Sequence, residues 1–152
     1  MFPMDFLTDW SKAEKEERAR YLLDKVNVKD SEDKYPDELS GGMQKRVGIA
    51  RAIALNPTFL FCDEPNSGLD PETAIVIDHL ISSLTKELGI TTIMNTHDLN
   101  SIMEIGDNIG FLYKGEIIWQ GDRHSILSAE CPQLREFLCS NTLARNIIEK
   151  SR

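Results

Sequence analysis

The sequence predicts an α/β fold. Two short apolar runs, Phe59-Leu60-Phe61-Cys62 and Ile90-Thr91-Thr92-Ile93-Met94, have the length and content of buried strands. Segments of helical periodicity stand before, between and after them, and no internal repeat or low-complexity tract interrupts the alternation. The 152 residues amount to one domain.

Each element follows from local signals. Residues 11–26 read as a helix: Ser11 and Glu14 form an S-x-x-E capping box, and Ala19, Leu22, Leu23 and Val26 make an apolar stripe opposite a solvated charged face. A polar loop covers 28–37. A second helix spans 41–54, where Met43, Val47, Ala50 and Ala54 recur at spacings of four, three and four, and Asn56-Pro57 stops it. The first strand follows. The helix after Asp70-Pro71 presents Ala74, Ile77, Ile81, Leu84 and Leu88 on one face and ends at Gly89. After the second strand, a short helix covers 98–105 and ends at Gly106. Residues 108–113 and 116–120 read as strands joined at Lys114-Gly115, a hairpin signal. Weaker helices are expected near 122–128 and 132–139, and the polar tail from Asn141 is expected to be loosely held.

Composition narrows the function. Seventeen Lys and Arg against 25 Asp and Glu give a net charge of −8, which opposes binding to a phosphate backbone. Cys62, Cys131 and Cys139 are odd in number and lack C-x-x-C spacing, so neither a disulfide framework nor a cysteine-rich zinc site is expected, and a reducing cytoplasm suits the chain. The first residues carry no signal-peptide pattern, and no apolar run approaches the roughly 18 residues of a membrane helix.

Four segments carry chemistry. Ser40-Gly41-Gly42 stands directly before an amphipathic helix: Ser40 can cap it, the glycines let an anion near the backbone, and the free N–H groups suit a phosphate. An ordinary N-cap is the alternative. Asp63 and Glu64 end a buried strand, the edge where open α/β sheets bind ligands. Adjacent strand residues point to opposite faces, so the two should divide the work, one holding Mg²⁺ and the other orienting or deprotonating a water. Ser67-Gly68-Leu69-Asp70 ends on an N-cap aspartate, and His97 follows the second strand, where it can reach a phosphate oxygen.

In order and spacing these segments resemble the nucleotide-binding subunits of ABC transporters. Residues 39–44 resemble the signature motif, with Met43 where that family mostly has Gln. Residues 59–64 resemble the Walker B motif, 67–70 the D-loop, and His97 the switch histidine, while 46–54 resemble the helix after the signature. The resemblance implies a P-loop NTPase (RecA-like) parallel sheet, incomplete here, with part of the helical subdomain. Residues 1–55 would form the signature subdomain, 56–121 the RecA-like core, and 122–152 the C-terminal helices and tail. It implies ATP and Mg²⁺ as cofactors. Ser40, Gly41 and Gly42, flanked by Met43 and Gln44, would meet the γ-phosphate of ATP held by the opposite subunit of a dimer. Asp63 would support Mg²⁺, Glu64 would be the general base, Asp70 would communicate across the dimer, and His97 would sense the γ-phosphate. The implied partners are a second nucleotide-binding subunit and a transmembrane permease, with no nucleic acid and with the membrane reached only through the permease, on its cytoplasmic side.

One motif of that family does not occur. A phosphate loop reads G-x-x-x-x-G-K-S/T, and among nine glycines only Gly110 and Gly115 have the spacing, followed by Glu116-Ile117. The glutamine loop is missing as well. The expectation is therefore the C-terminal part of an ATP-binding subunit, inactive alone, with sheet edges left open where the phosphate-loop strand belongs. Met43-Gln44-Lys45-Arg46-Val47 and Gln133-Leu134-Arg135-Glu136-Phe137-Leu138 resemble the lipid-trafficking, Mce-type group within the family. The alternatives are a non-catalytic or regulatory partner without its own nucleotide site, and a DNA-repair or chromosome-type ATPase. The absence of heptads and the net charge of −8 weigh against the last.

Overall fold

The computed structural model describes residues 1–140 and Arg145; the tail expected from Asn141 otherwise lies outside the described residues. Contacts group the chain into two compact units, Met1–Thr96 and His97–Arg152. The motif-based division at 55/56 and 121/122 is a division by expected role, whereas α-helices and strands on both sides of residue 55 share one core.

The first unit runs α1 (Phe2–Leu7), α2 (Lys12–Lys25), a 3-10 turn at Pro36–Glu38, α3 (Gly41–Ala52), β1 (Phe59–Asp63), α4 (Pro71–Leu88) and β2 (Thr91–Asn95). Helix α1 was not expected. It is short, has no side-chain cap, and carries Pro3 in its first turn, where the fixed φ suits a helix start. The capping box of α2 is formed: Glu14 N donates to Ser11 Oγ at 3.3 Å and Ser11 N donates to Glu14 Oε2 at 2.7 Å. Helix α4 starts at the Asp70 cap and ends at Gly89, which adopts φ 62°.

Strands β1 and β2 pair in parallel, from Phe59 beside Thr91 to Asp63 beside Asn95. Leu60 is buried, and Thr92 on the same face bonds Thr85 of α4, Oγ1 to Oγ1, at 2.6 Å. The opposite face is open: Phe59 is 55%, Phe61 71% and Ile93 52% exposed. The apolar runs had implied strands covered on both faces, and this corrects that reading. A continuous apolar run reports a strand's chemistry, not what covers each of its faces. The core instead lies on the covered face, where Leu22 of α2 and Val26 just after it, Ile49 of α3 and Ile53 just after it, and Ile77 and Ile81 of α4 meet.

The second unit comprises α5 (Leu99–Ile105), β3 (Ile109–Tyr113), β4 (Glu116–Gly121), a 3-10 turn at Ile126–Ser128 and α6 (Pro132–Ser140). The hairpin forms as expected. Lys114 and Gly115 take φ 49° and 86°, the double positive φ of the turn that matches strand twist. The helix expected near 122–128 is only a 3-10 turn: Asp122 Oδ1 accepts from the amides of His124 and Ser125, and these bonds hold its carboxyl below the ordinary aspartate range. Leu99, Ile126, Leu134 and Leu138 form this unit's core.

Helix α3 ends without a glycine. The carbonyls just past its end are taken by Arg18 of α2, which donates to Ile53 O and Ala54 O at 3.2 Å and to Asn56 Oδ1 at 2.6 Å. Arg18→Ala is expected to destabilise the first unit by about 1–3 kcal/mol, the worth of hydrogen bonds to a charged group. Arg18→Lys should recover only part, since an ammonium cannot span three acceptors in the guanidinium's fork. Urea denaturation followed by circular dichroism reads this as a lower midpoint at unchanged slope.

Candidate functional site

Parallel pairing brings the carboxyl ends of β1 and β2 to one edge. There Asn95 Nδ2 donates to Asp63 Oδ1 at 2.7 Å, which orients an exposed carboxylate. Glu64 N extends the ladder by donating to Asn95 O at 2.9 Å. The chain then turns: Glu64 adopts φ 46°, left-handed for a residue with a Cβ. That conformation costs about 1–2 kcal/mol, so the surroundings must hold it. Glu64 O accepts Ser67 N at 3.2 Å and Lys45 Nζ of α3 at 3.3 Å. Leu69 N donates to Asn66 O at 3.3 Å and closes the turn before Asp70.

Asp70 begins α4 with Oδ1 accepting Thr73 N at 2.9 Å. The hydrogen bonds from Thr73 pull its carboxyl below the ordinary aspartate range. Ser40 begins α3 in the same way, its Oγ accepting Met43 N at 3.3 Å. These two helix starts touch. A Cβ on Gly41 would lie 3.5 Å from Leu69 Cδ2, an ordinary contact, whereas one on Gly42 would lie 2.7 Å from Thr73 Cγ2, too close to stand. Gly42 is buried, while Ser40 and Gly41 are exposed. The second glycine therefore serves the approach of α3 to α4, and of Ser40, Gly41 and Gly42 the first two face solvent for a ligand. Met43 packs against the core, and Gln44 Nε2 donates to Pro36 O at 2.9 Å and to Leu39 O at 3.1 Å, bracing the loop before the helix.

The structure thus joins five of the predicted positions within the first unit: Gly41 and Gly42 to the start of α4, Asp63 and Glu64 at the strand edge, and Asp70 between them. His97 is exposed and opens the second unit, two residues beyond the end of β2. Asp98 beside it caps α5, its Oδ1 accepting Asn100 N at 2.9 Å. Cys62 lies on the covered face of β1, where burial pushes its thiol up and away from reactivity.

Sequence reasoning missed Lys45, Asn95 and the buried pair Asn66 and Asp78. Only Asp78 left a signal: it lies four residues after Ala74 and three before Ile81, an acid inside an apolar arc.

Among the described residues, no three His, Cys, Asp or Glu side chains cluster to hold a metal. A single oriented carboxylate such as Asp63 fits Mg²⁺, which keeps several waters and takes one or two protein carboxylates beside phosphate oxygens.

Residues 3–67 match the protein family described as "ABC transporter". The methionine import ATP-binding protein MetN 1 of Shouchella clausii is 45% identical over 122 residues, covering 80% of this chain and 35% of that protein. The probable ribonucleotide transport ATP-binding protein mkl of Mycobacterium tuberculosis (strain ATCC 25618 / H37Rv) is 35% identical over 137 residues, covering 90% of this chain and 38% of that protein. The chain thus spans little more than a third of the curated relatives it matches. Among solved structures, the ADP conformation of MJ1267, an ATP-binding cassette of an ABC transporter, superposes with a TM-score of 0.75 at 28% identity, covering 92% of this chain and 56% of that one.

Two outcomes are expected from this geometry. Gly42→Ala should destabilise by about 1–3 kcal/mol through overpacking, and adding Thr73→Ser, which deletes the offending methyl, should restore most of it; paired thermal melts measure both. Asp70 has a lowered folded value, so its contribution is complete above the unfolded value and is lost as pH falls through the folded one. Asp70→Asn keeps a cap acceptor that does not titrate, so the fall of Tm between neutral pH and about pH 2 should be shallower.

Proposed function

The chain belongs to the ABC transporter ATP-binding family, and from that premise we propose that it is part of the ATPase subunit that energises a membrane transporter. In this reading it supplies the signature face, the Walker B carboxylates, the D-loop and the switch histidine. Ser40 and Gly41 contact the γ-phosphate of ATP held by the opposite subunit of a dimer, while Gly42 secures the helix that presents them. Asp63 holds Mg²⁺, directly or through water; when bound, the ion neutralises charge on the phosphates. Glu64 takes the proton of the attacking water. Asp70 faces the partner subunit, and His97 senses the γ-phosphate.

The observation that carries the reading is the shared edge of β1 and β2. Asp63 and Glu64 leave the sheet where the segment leading to His97 also leaves it, the edge at which open α/β sheets place their ligands. The start of α3 is tied to the same turn through Lys45 and Glu64 O.

Among the described residues, no helix is long and apolar enough to cross a membrane. The family likeness, and not that absence, supports placing the subunit on the cytoplasmic face, attached through a permease. Methionine and ribonucleotides are named for the relatives, and the lipid-type resemblance rests on residues 43–47 and 133–138. Leu134 and Leu138 of the second run are core residues, so packing alone accounts for them. Substrate choice is assigned here to the permease.

In the full subunit, Glu64→Gln should retain Mg-ATP and lose hydrolysis by roughly 100-fold or more, the usual worth of a general base. Filter binding of labelled ATP beside phosphate release reads both. Turnover at the wild-type rate in that variant rejects Glu64 as the base.

A further inference from the structure

Asp78 lies on α4 with 3% of its surface exposed, and Asn66, in the turn after Glu64, is 6% exposed. Asn66 Nδ2 stands 3.3 Å from Asp78 Oδ1 and 3.4 Å from Oδ2. A buried carboxyl is tolerated only where its oxygens find donors, and a buried amide only where its N–H groups find acceptors. The pair therefore ties the turn to the helix. The turn carries a load worth fixing, because Glu64 is left-handed at φ 46° and its own backbone preference is to relax. Lys45 holds the turn at its first carbonyl, from α3. Asp78 holds it two residues later, from α4, by accepting from Asn66 Nδ2.

We propose that Asp78, acting through Asn66, is a positioning residue for Glu64. It locks the 64–69 turn, keeps Glu64 left-handed, and thereby aims the Glu64 carboxylate. The catalytic half of this statement rests on the function proposed above for Glu64; the clamp on the turn does not. Neither Asn66 nor Asp78 touches the reacting atoms in this account.

The test has two arms. In the 152-residue chain, amide hydrogen exchange is followed at Ser67 and Leu69, whose N–H groups donate to Glu64 O and Asn66 O. Asp78→Leu and, should that variant fold poorly, Asn66→Ala are expected to speed exchange at both amides by roughly tenfold or more, with the Val26 and Val28 amides unchanged. The reciprocal swap, Asn66→Asp with Asp78→Asn, restores an amide facing a carboxyl and should return both amides to slow exchange, whereas Asn66→Asp alone sets two carboxyls face to face and should not. Unchanged exchange in the single variants, or a swap as fast as they are, overturns the clamp.

In the full subunit, Asn66→Ala should lower kcat by roughly 10–100-fold while KM stays within about twofold, the signature of a misaimed base and not of lost binding. The swap should recover kcat. An Asn66→Ala subunit with wild-type kcat overturns the link to Glu64. If Glu64→Gln itself hydrolyses ATP normally, the assignment of the base fails, and the exchange arm still decides the clamp.

Discussion

The close approach of two helix starts is the constraint on which the rest of the first unit depends. Helices α3 and α4 begin side by side, and the space between Gly42 and Thr73 admits no Cβ. Once that distance is set, Leu69 rests on Gly41, and Lys45, one turn along α3, reaches the carbonyl of Glu64. The strand end, the turn and both helix caps are then joined by direct contacts. A glycine in such a place is commonly read as room for a ligand. Here the same absence of a side chain makes a helix contact, and that contact delivers Ser40 and Gly41 to the surface beside the turn.

That assembly carries strain, and the strain sits at one residue. A left-handed Glu64 costs about 1–2 kcal/mol, comparable to one or two net hydrogen bonds. Among the bonds at and beside it are Glu64 N to Asn95 O, Ser67 N and Lys45 Nζ to Glu64 O, and, two residues on, Asn66 Nδ2 to Asp78. They come from β2, the turn itself, α3 and α4. No single element could hold the conformation, so the direction of the Glu64 side chain is a property of the packed unit and is insensitive to local backbone preference.

What the sequence revealed divides along the same line. The caps at Ser11, Ser40 and Asp70, the stop at Gly89 and the Lys114-Gly115 turn were all legible, because each is decided within four or five residues. Asp63 and Glu64 stood out because a carboxyl pair ends an apolar strand run, whereas Asp70 read from its own neighbours only as a helix cap, and its further role came from the family resemblance. The role of Gly42 was not, since nothing near residue 42 announces Thr73, thirty-one positions on. Lys45 and Asn95 drew no reading of their own, because their partners Glu64 O and Asp63 lie 19 and 32 residues away in the chain. Helix α1 escaped because six residues hold too little periodicity to register.

The sheet shows the same division from the other side. Parallel strands are apolar on both faces because they are ordinarily covered on both. Phe59, Phe61 and Ile93 keep that chemistry, yet the described residues leave their face open, and only Leu60, Cys62, Thr92 and Met94 meet helices. A two-stranded parallel pair is too small to stand alone. Its order must come from the covered side, from the core that α2, α3 and α4 close over Leu60 and Ile90. The carboxyl edge of the two strands thus inherits its geometry from helix packing more than from the sheet. It follows that Arg18, which ties α2 to the end of α3, acts on the same geometry as Asp78, although it sits at the far end of α3 from the turn.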